Sequence, residues 1–437
     1  MKWISFCKRW IIFYKNPVLG SAGFLRSCWQ HFIFCCFGGA ICFYGAGMYI
    51  VMSYINRNIH EMKTLSLYLL YFFLGFKSLA QGFYDDGVLW PLNVDRGISE
   101  HFVYGLAVTK NGTVLAFSEG RILPGDSNPH HIVLKSSKDN GKTWLPSQIL
   151  VRSINKESYA NPTPLVDPKS GKIFLFYARN IENKSSEVFY LTSKDHGATW
   201  SGPESVTSLF HSDPLKRPFH LPGPGHGIAL KNGRLILQVW HRYSVELSIP
   251  ERKYCVSVIY SDSHGRTWKS GGYIPQTDSM PANESRLVEL KNGSILLDCR
   301  YAANTGEIKR IQSFSTDKGR TWSKPVLGTL PAFTSVDAGL NKMNMGNKFY
   351  LLFTRPVGPG RNNLGISYSE DEGKTWSLPK IIYKGPANYS DLAILPDNTI
   401  FVIYGRGEPR SAAWVRFNLQ WLMNVEPLSL YPIPQVK

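Results

Sequence analysis

Short apolar runs recur along residues 113–404, and a turn pair opens each one. Asn111-Gly112 precedes the run 113–117, Ser170-Gly171 precedes 172–176, and Asn232-Gly233 precedes 234–239. Asn292-Gly293 leads into 294–297, Gly346-Asn347 into 348–353, and Asp397-Asn398 into 399–404. Asn-Gly between apolar runs is a hairpin signal, because both turn positions accept φ > 0. An octapeptide repeats in step with these runs. It reads Ser137-Lys-Asp139-Asn-Gly141-Lys-Thr143-Trp144 at its first occurrence and ends at Trp200, Trp268, Trp322 and Trp376 in the later copies. The pattern is S-x-D-x-G-x-T-W, with Ser263 in place of Asp in the third copy, and the tryptophans are 56, 68, 54 and 54 residues apart.

The octapeptide is a turn in chemical terms. Ser and Asp side chains bond nearby backbone N–H groups, Gly admits φ > 0, and Trp anchors the turn on a sheet. Its acid and glycine spacing also resembles a calcium loop, but no bidentate Glu follows and no helices flank it. Six strand-turn-strand units filling residues 84–437 predict an all-β chain of six four-stranded sheets, a six-bladed β-propeller, with no linker and no second domain.

Composition changes this picture in one place. The formal charge of +17 invites a nucleic-acid or membrane partner,. Residues 1–80, however, hold eight Lys/Arg, one acid and five of the seven cysteines. Residues 81–437 keep 41 basic and 31 acidic residues, a net of +10, and only Cys255 and Cys299, so the body is not a disulfide scaffold,. Its basic residues are scattered through turns, as at Lys142, Arg266, Arg320 and Lys374, with no arginine-rich run or recognition helix. That pattern excludes a nucleic-acid partner. No His/Cys spacing of the zinc type is present, so no metal and no cofactor are expected. No stable protein partner is implied.

The first eighty residues read as export machinery. Residues 31–55 carry no Lys, Arg, Asp or Glu and are long enough to span a bilayer,. A second pattern begins at Met62: Lys63 is positive, 65–76 is apolar, and Ser78-Leu-Ala80 is a small-x-small cleavage site,. Residues 62–80 are therefore expected to be a signal peptide, and 1–61 an over-extended start or, otherwise, a membrane anchor. Either way the propeller, 81–437, is expected outside the cytoplasm: periplasmic, cell-surface or secreted.

Five such octapeptides resemble the Asp boxes of the sialidase superfamily, whose six-bladed form is the sialidase fold. Three further segments are similar to secreted sialidases of glycoside hydrolase family thirty-three. They are Gly223-Pro-Gly225-His-Gly227, Asn283-Glu284-Ser285 followed by Arg300, and Asn388-Tyr389-Ser390-Asp391-Leu392. The resemblance covers about 100–405 and implies an exo-glycosidase acting on terminal sialic acid or a related 2-keto acid sugar. By that resemblance Asp126 is the acid/base, Tyr389 the nucleophile and Glu284 its base. Arg300 and Arg361 bind the substrate carboxylate, and His226 is a positioning residue at the substrate.

These residue types suit the chemistry. The anomeric carbon of a sialic acid carries a carboxylate, which repels a carboxylate nucleophile but not a neutral phenol. A tyrosine of ordinary pKa, about 10, needs a base at neutral pH. Arginine grips a carboxylate with a two-pronged fork that lysine lacks.

Two positions depart from the family. Sialidases open their first blade with Arg-Ile-Pro, where this chain has Phe102-Val103-Tyr104, so Phe102 replaces the first arginine. The Glu that supports that arginine is Gly405 here. The two losses belong to one ion pair, and losing both avoids a buried unpaired charge. Arg96, Arg121 and Arg406 are the arginines available to move in. An apolar Phe102 subsite leaves open a propeller glycosidase of different sugar specificity. A non-catalytic carbohydrate-binding propeller is the other reading, and the retained Asp126, Glu284 and Tyr389 argue against it.

Overall fold

The computed structural model describes residues 82–424, except 94, 96, 304 and 305, and the backbone of three short strands between 33 and 51. The chain divides into two compact units, Met1–Ala80 and Gln81–Lys437. In the first, Ile33–Cys36, Gly39–Tyr44 and Gly47–Val51 pair antiparallel. They fall within the apolar run 31–55. Among the described residues no helix is long and apolar enough to cross a membrane. The expected leader, 62–80, lies outside the described residues.

The second unit is a six-bladed β-propeller. Glu100–Val108, Val114–Arg121, His130–Ser137 and Gln148–Val151 make the first blade, from axis to rim. Ser158–Val166, Ile173–Ile181, Ser185–Ser193 and Glu204–Ser205 make the second. In the third, the inner strand is split into Phe219–Pro222 and Ile228–Ala229, both paired with Leu235–Arg242, and Cys255–Ser261 and Lys269–Tyr273 follow. Ala282–Glu289, Ile295–Tyr301, Ile311–Ser315 and Val326–Leu327 make the fourth. Gly339–Met345, Lys348–Gly358 and Asn362–Ser369 belong to the fifth. The long strand Lys380–Ile394 is shared: its first half edges the fifth blade and its second half is the inner strand of the sixth. Ile400–Arg406 and Ser411–Phe417 continue that blade, and Tyr84–Trp90, from the start of the unit, supplies its rim strand. The ring is thus closed by pairing the two ends of the unit.

Each turn-pair run becomes the second strand of a blade, and its turn has the expected backbone: Gly112, Gly171, Gly233 and Gly293 have φ between 77° and 87°. The strands continue past the apolar runs, to Arg121, Arg242, Tyr301 and Arg406. Each octapeptide joins a third strand to a fourth. In the second box, Thr199 donates from its N–H to Asp195 Oδ1 (2.9 Å), and the Gly197 N–H donates to Ser193 Oγ (2.9 Å). The Thr199 hydroxyl, then its N–H, pull the Asp195 carboxyl down to about 2. The boxes also lock neighbouring blades: Gly265, at φ 74°, lies flat on the Phe174 ring of the preceding blade, with no room for a Cβ.

Antiparallel order decides where chemistry sits. The turn pairs and the octapeptide boxes are both at one end of the ring. The starts of inner strands and the ends of second strands are therefore at the other, and so are the loops between second and third strands.

Candidate active site

That second end holds a pocket of about 500 Å³ lined by Phe102, Asp126, Arg300, Arg361 and Tyr389, among others. Five of the seven expected site residues therefore converge on one wall, from four different blades. Glu284, the sixth, touches two of them. Tyr389 donates its hydroxyl to Glu284 Oε1 (2.5 Å). Arg300 Nη1 donates to Tyr389 Oη (2.8 Å) and to Glu284 Oε2 (2.6 Å).

Strand irregularities aim these side chains. The pairing register shifts between Ala282 and Ser285 around Glu284, and between Ala387 and Ser390 around Tyr389. It shifts again between Phe102 and Tyr104, where Val103 has φ 56°. Bulges of this kind turn successive side chains toward the same face. Asp126 is on the first blade's second-to-third loop, pinned by its carbonyl, which accepts from Ser158 Oγ (2.9 Å) and Asn180 Nδ2 (2.8 Å). Its side chain is 73% exposed and accepts from Arg121 Nη2 (3.0 Å).

Burial, and then the Glu284 charge, push the Tyr389 phenol well above its usual pKa of 10. The phenol is therefore neutral at physiological pH, and the Glu284 side chain is in contact with it. Burial opposes the Arg300 charge, but Tyr389 and Glu284 outweigh it and hold the guanidinium protonated.

Position 405 has no room for a side chain. A Cβ on Gly405 would stand 2.8 Å from the Tyr104 hydroxyl, which donates to the His101 carbonyl (2.7 Å). The departures at 104 and 405 are thus sterically coupled. Phe102 lies with its ring centroid 4.6 Å from that of Tyr389. Arg121 and Arg410 approach the Phe102 ring to 4.8 and 4.3 Å.

His226 is not on the pocket wall. It belongs to the turn that splits the third blade's inner strand, and its Nδ1 lies 3.0 Å from Asp391. It lines a separate cleft of about 180 Å³ with Leu106, Pro164, Asn341 and Ala393, which are on the inner strands of four other blades. The turn packs its Gly225 against Arg286, whose guanidinium pairs with Asp337 (2.5 Å). His226 is therefore part of the polar packing along the axis and does not face the larger pocket.

The model of the family described as BNR repeat-like domain matches residues 112–402. The chain belongs to the BNR repeat-like family. Among the relatives of this BNR repeat-like protein is a Sialidase of Micromonospora viridifaciens, 28% identical over 375 residues, 79% of this chain and 55% of that one. The chain thus spans little more than half of that relative's length. Sialidase-3 of Mus musculus is 26% identical, over 72% of this chain and 89% of its own. The fold is shared with the Hadza microbial sialidase Hz136, at a TM-score of 0.65 and 23% identity over 75% of this chain and 67% of that one. Trypanosoma rangeli sialidase in complex with the inhibitor DANA superposes at 0.63, with 18% identity over 76% and 59% of the two chains.

Several pocket residues of this BNR repeat-like protein escaped the sequence reading. Glu100, Glu408 and Arg410 line the wall. Ser335 ties Arg300 and Arg361 together: its Oγ accepts from Arg300 Nε (2.9 Å) and its carbonyl from Arg361 Nη2 (3.2 Å). Of the three arginines considered as replacements, Arg121 is on the wall, Arg406 is not, and Arg96 lies outside the described residues. The signal for Arg410 was available. It sits in the sixth blade's second-to-third loop, in the same class of loop as Asp126 and Arg361.

Proposed function

We propose that the protein is an exported, retaining exo-glycosidase that hydrolyses terminal sialic acid, or a related 2-keto acid sugar, from glycans. The observation that carries this reading is the 2.5 Å hydrogen bond from Tyr389 to Glu284, bridged by Arg300, beside a pocket edged by Asp126. The sialidase relatives support the same reaction class.

In the first step Asp126 protonates the glycosidic oxygen as its bond to the anomeric carbon breaks. The Tyr389 oxygen bonds to that carbon while its proton passes to Glu284 Oε1, and the aglycone leaves as an alcohol. In the second step Asp126 takes a proton from water, whose oxygen displaces the tyrosyl oxygen, and Tyr389 recovers its proton from Glu284. Two displacements retain the configuration. Arg300 and Arg361 hold the substrate carboxylate, and Arg300 also offsets negative charge developing on the phenolic oxygen.

A 2,3-difluoro analogue of the sugar tests the reading. It is expected to leave a covalent adduct on the peptide containing Tyr389 and none in Tyr389→Phe. Asp126→Asn and Glu284→Gln are each expected to lower kcat by about 10²–10⁴-fold on a fluorogenic sialoside. Full activity in Tyr389→Phe would remove the nucleophile assignment. Glycan binding without turnover of any terminal sugar would favour the carbohydrate-binding propeller instead.

A further inference from the structure

Phe102 stands where the resemblance to sialidases calls for an arginine, yet a guanidinium lies over its ring. The Arg410 guanidinium lies 4.3 Å from the centroid of the Phe102 ring, and that ring lies 4.6 Å from Tyr389. Arg410 comes from the sixth blade, but its anchor is on the first. Its Nη1 donates to Glu100 Oε1 (3.1 Å) and Oε2 (3.3 Å), its backbone N–H reaches Glu100 Oε2 (3.4 Å), and its carbonyl accepts from the His101 N–H (3.1 Å).

Glu100 is two residues before Phe102 and only 2% exposed. A carboxylate so buried requires a cationic partner.

We propose that Arg410 is the third guanidinium of the carboxylate clamp, so that the ion pair expected between positions 102 and 405 is kept with its charges exchanged between the blades. The carboxylate is now on the first blade, at Glu100, and the arginine on the sixth, at Arg410. This rests on the glycosidase reading of the same pocket.

Steric and hydrogen-bonding capacity favour Arg410 over its neighbour. A carboxylate at 405 is blocked by Tyr104, so an arginine at 102 would lack its support there. Arg121 is more enclosed and more committed: Nε and Nη2 bond Glu119, Nη2 also bonds Asp126, Nη1 faces Glu100 at 3.6 Å, and its side chain is 3% exposed against 22% for Arg410. Arg410 uses Nη1 on Glu100 and places Nε 3.2 Å from Glu408 Oε1. Among the described residues its Nη2 has no hydrogen bond, which leaves one donor edge for an incoming carboxylate. Phe102 beneath it serves as a flat support for the cation.

The experiment uses the 2,3-didehydro analogue of sialic acid and its carboxamide, titrated calorimetrically into the wild-type protein, Arg410→Gln, Arg410→Lys and Arg300→Gln, with melting curves for each. Arg410→Gln is expected to weaken the acid by about tenfold to a hundredfold while changing the carboxamide by less than about threefold. Arg410→Lys, which keeps the charge, is expected to recover part of the loss. Acid binding unchanged in a folded Arg410→Gln overturns the assignment, and so does an equal loss for acid and carboxamide. If Arg410→Gln does not fold, full acid affinity in Arg410→Lys supports a charge role, and affinity reduced a hundredfold for both ligands overturns it. Failure of the wild-type protein to bind the acid or to turn over any 2-keto acid sugar would instead sink the functional reading itself. Weak acid binding in Arg300→Gln alone would sink only the role of Arg410.

Discussion

Glu119 is a carboxylate fully enclosed beside the pocket. Its Oε1 accepts from the Asn161 N–H (2.9 Å) and its Oε2 from Arg121 Nε (2.9 Å) and Nη2 (2.7 Å). Burial pushes its pKa up to about 7, against the lowering effect of Arg121. An acid whose folded pKa lies above its unfolded one stabilises the fold fully below the unfolded value. That contribution is lost as pH rises through the folded value, here between about 4.5 and 7,. Denaturant unfolding at several pH values is expected to show the stability of the wild-type protein, relative to Glu119→Gln, falling by on the order of 1–3 kcal/mol across that window. A difference that is flat with pH, or that rises, would count against it. At the same scale, Phe102 and Tyr104 show why the pocket was only partly legible. Phe102 and Gly405 are visible in the sequence as departures from the motifs it resembles. The hydroxyl that closes position 405 is not, because it depends on how two blades meet.

At the scale of elements, turns and bulges divide the labour. The boxes are local devices: Ser, Asp, Gly and Thr satisfy one another within eight residues, so their spacing alone reveals them. Asp317 accepts from the Thr321 N–H (2.9 Å) and hydroxyl (2.6 Å), far from the pocket end. Asp317→Ala is expected to lower stability by about 1 kcal/mol and to leave kcat unchanged, as read by thermal melting beside a turnover assay. Lost turnover with an unaltered melt would contradict the placement of the boxes. The inner-strand bulges at 103, 284 and 389 are different. A bulge is defined by what the partner strand offers, so nothing in the apolar pattern marks it, yet it decides whether a side chain meets the pocket.

For the whole molecule, closure is the governing fact. Tyr84–Trp90 pairs with Ser411–Phe417 across more than three hundred residues, with Asp85 bonded to Arg416 (2.7 Å). We infer that the chain is exported and cut after Ala80, a point supported by the small-x-small site before Gln81. Such a cut keeps the closing strand. N-terminal sequencing of the mature protein is expected to begin at Gln81. A protein beginning at residue 91, which lacks that strand, is expected to melt well below it. A mature chain that retains residues 31–55, or equal melting of the two forms, would contradict the respective claim. Removing the first eighty residues leaves a net charge of +10, a surplus suited to acidic glycans.

The sequence by itself determined the all-β class and the six repeats, and its resemblance to sialidases supplied the candidates Asp126, Glu284, Arg300, Arg361 and Tyr389. The class and the repeats follow from turn chemistry and strand length, and the resemblance rests on short motifs whose residues are neighbours in the chain. Tertiary structure alone decided that His226 faces the axis, that Ser335 joins Arg300 to Arg361, and that Glu100 meets Arg410 from 310 residues away. Such contacts depend on the closure of six blades about one axis and on the register of bulged strands. Both are set by pairing between distant segments, which no local spacing encodes.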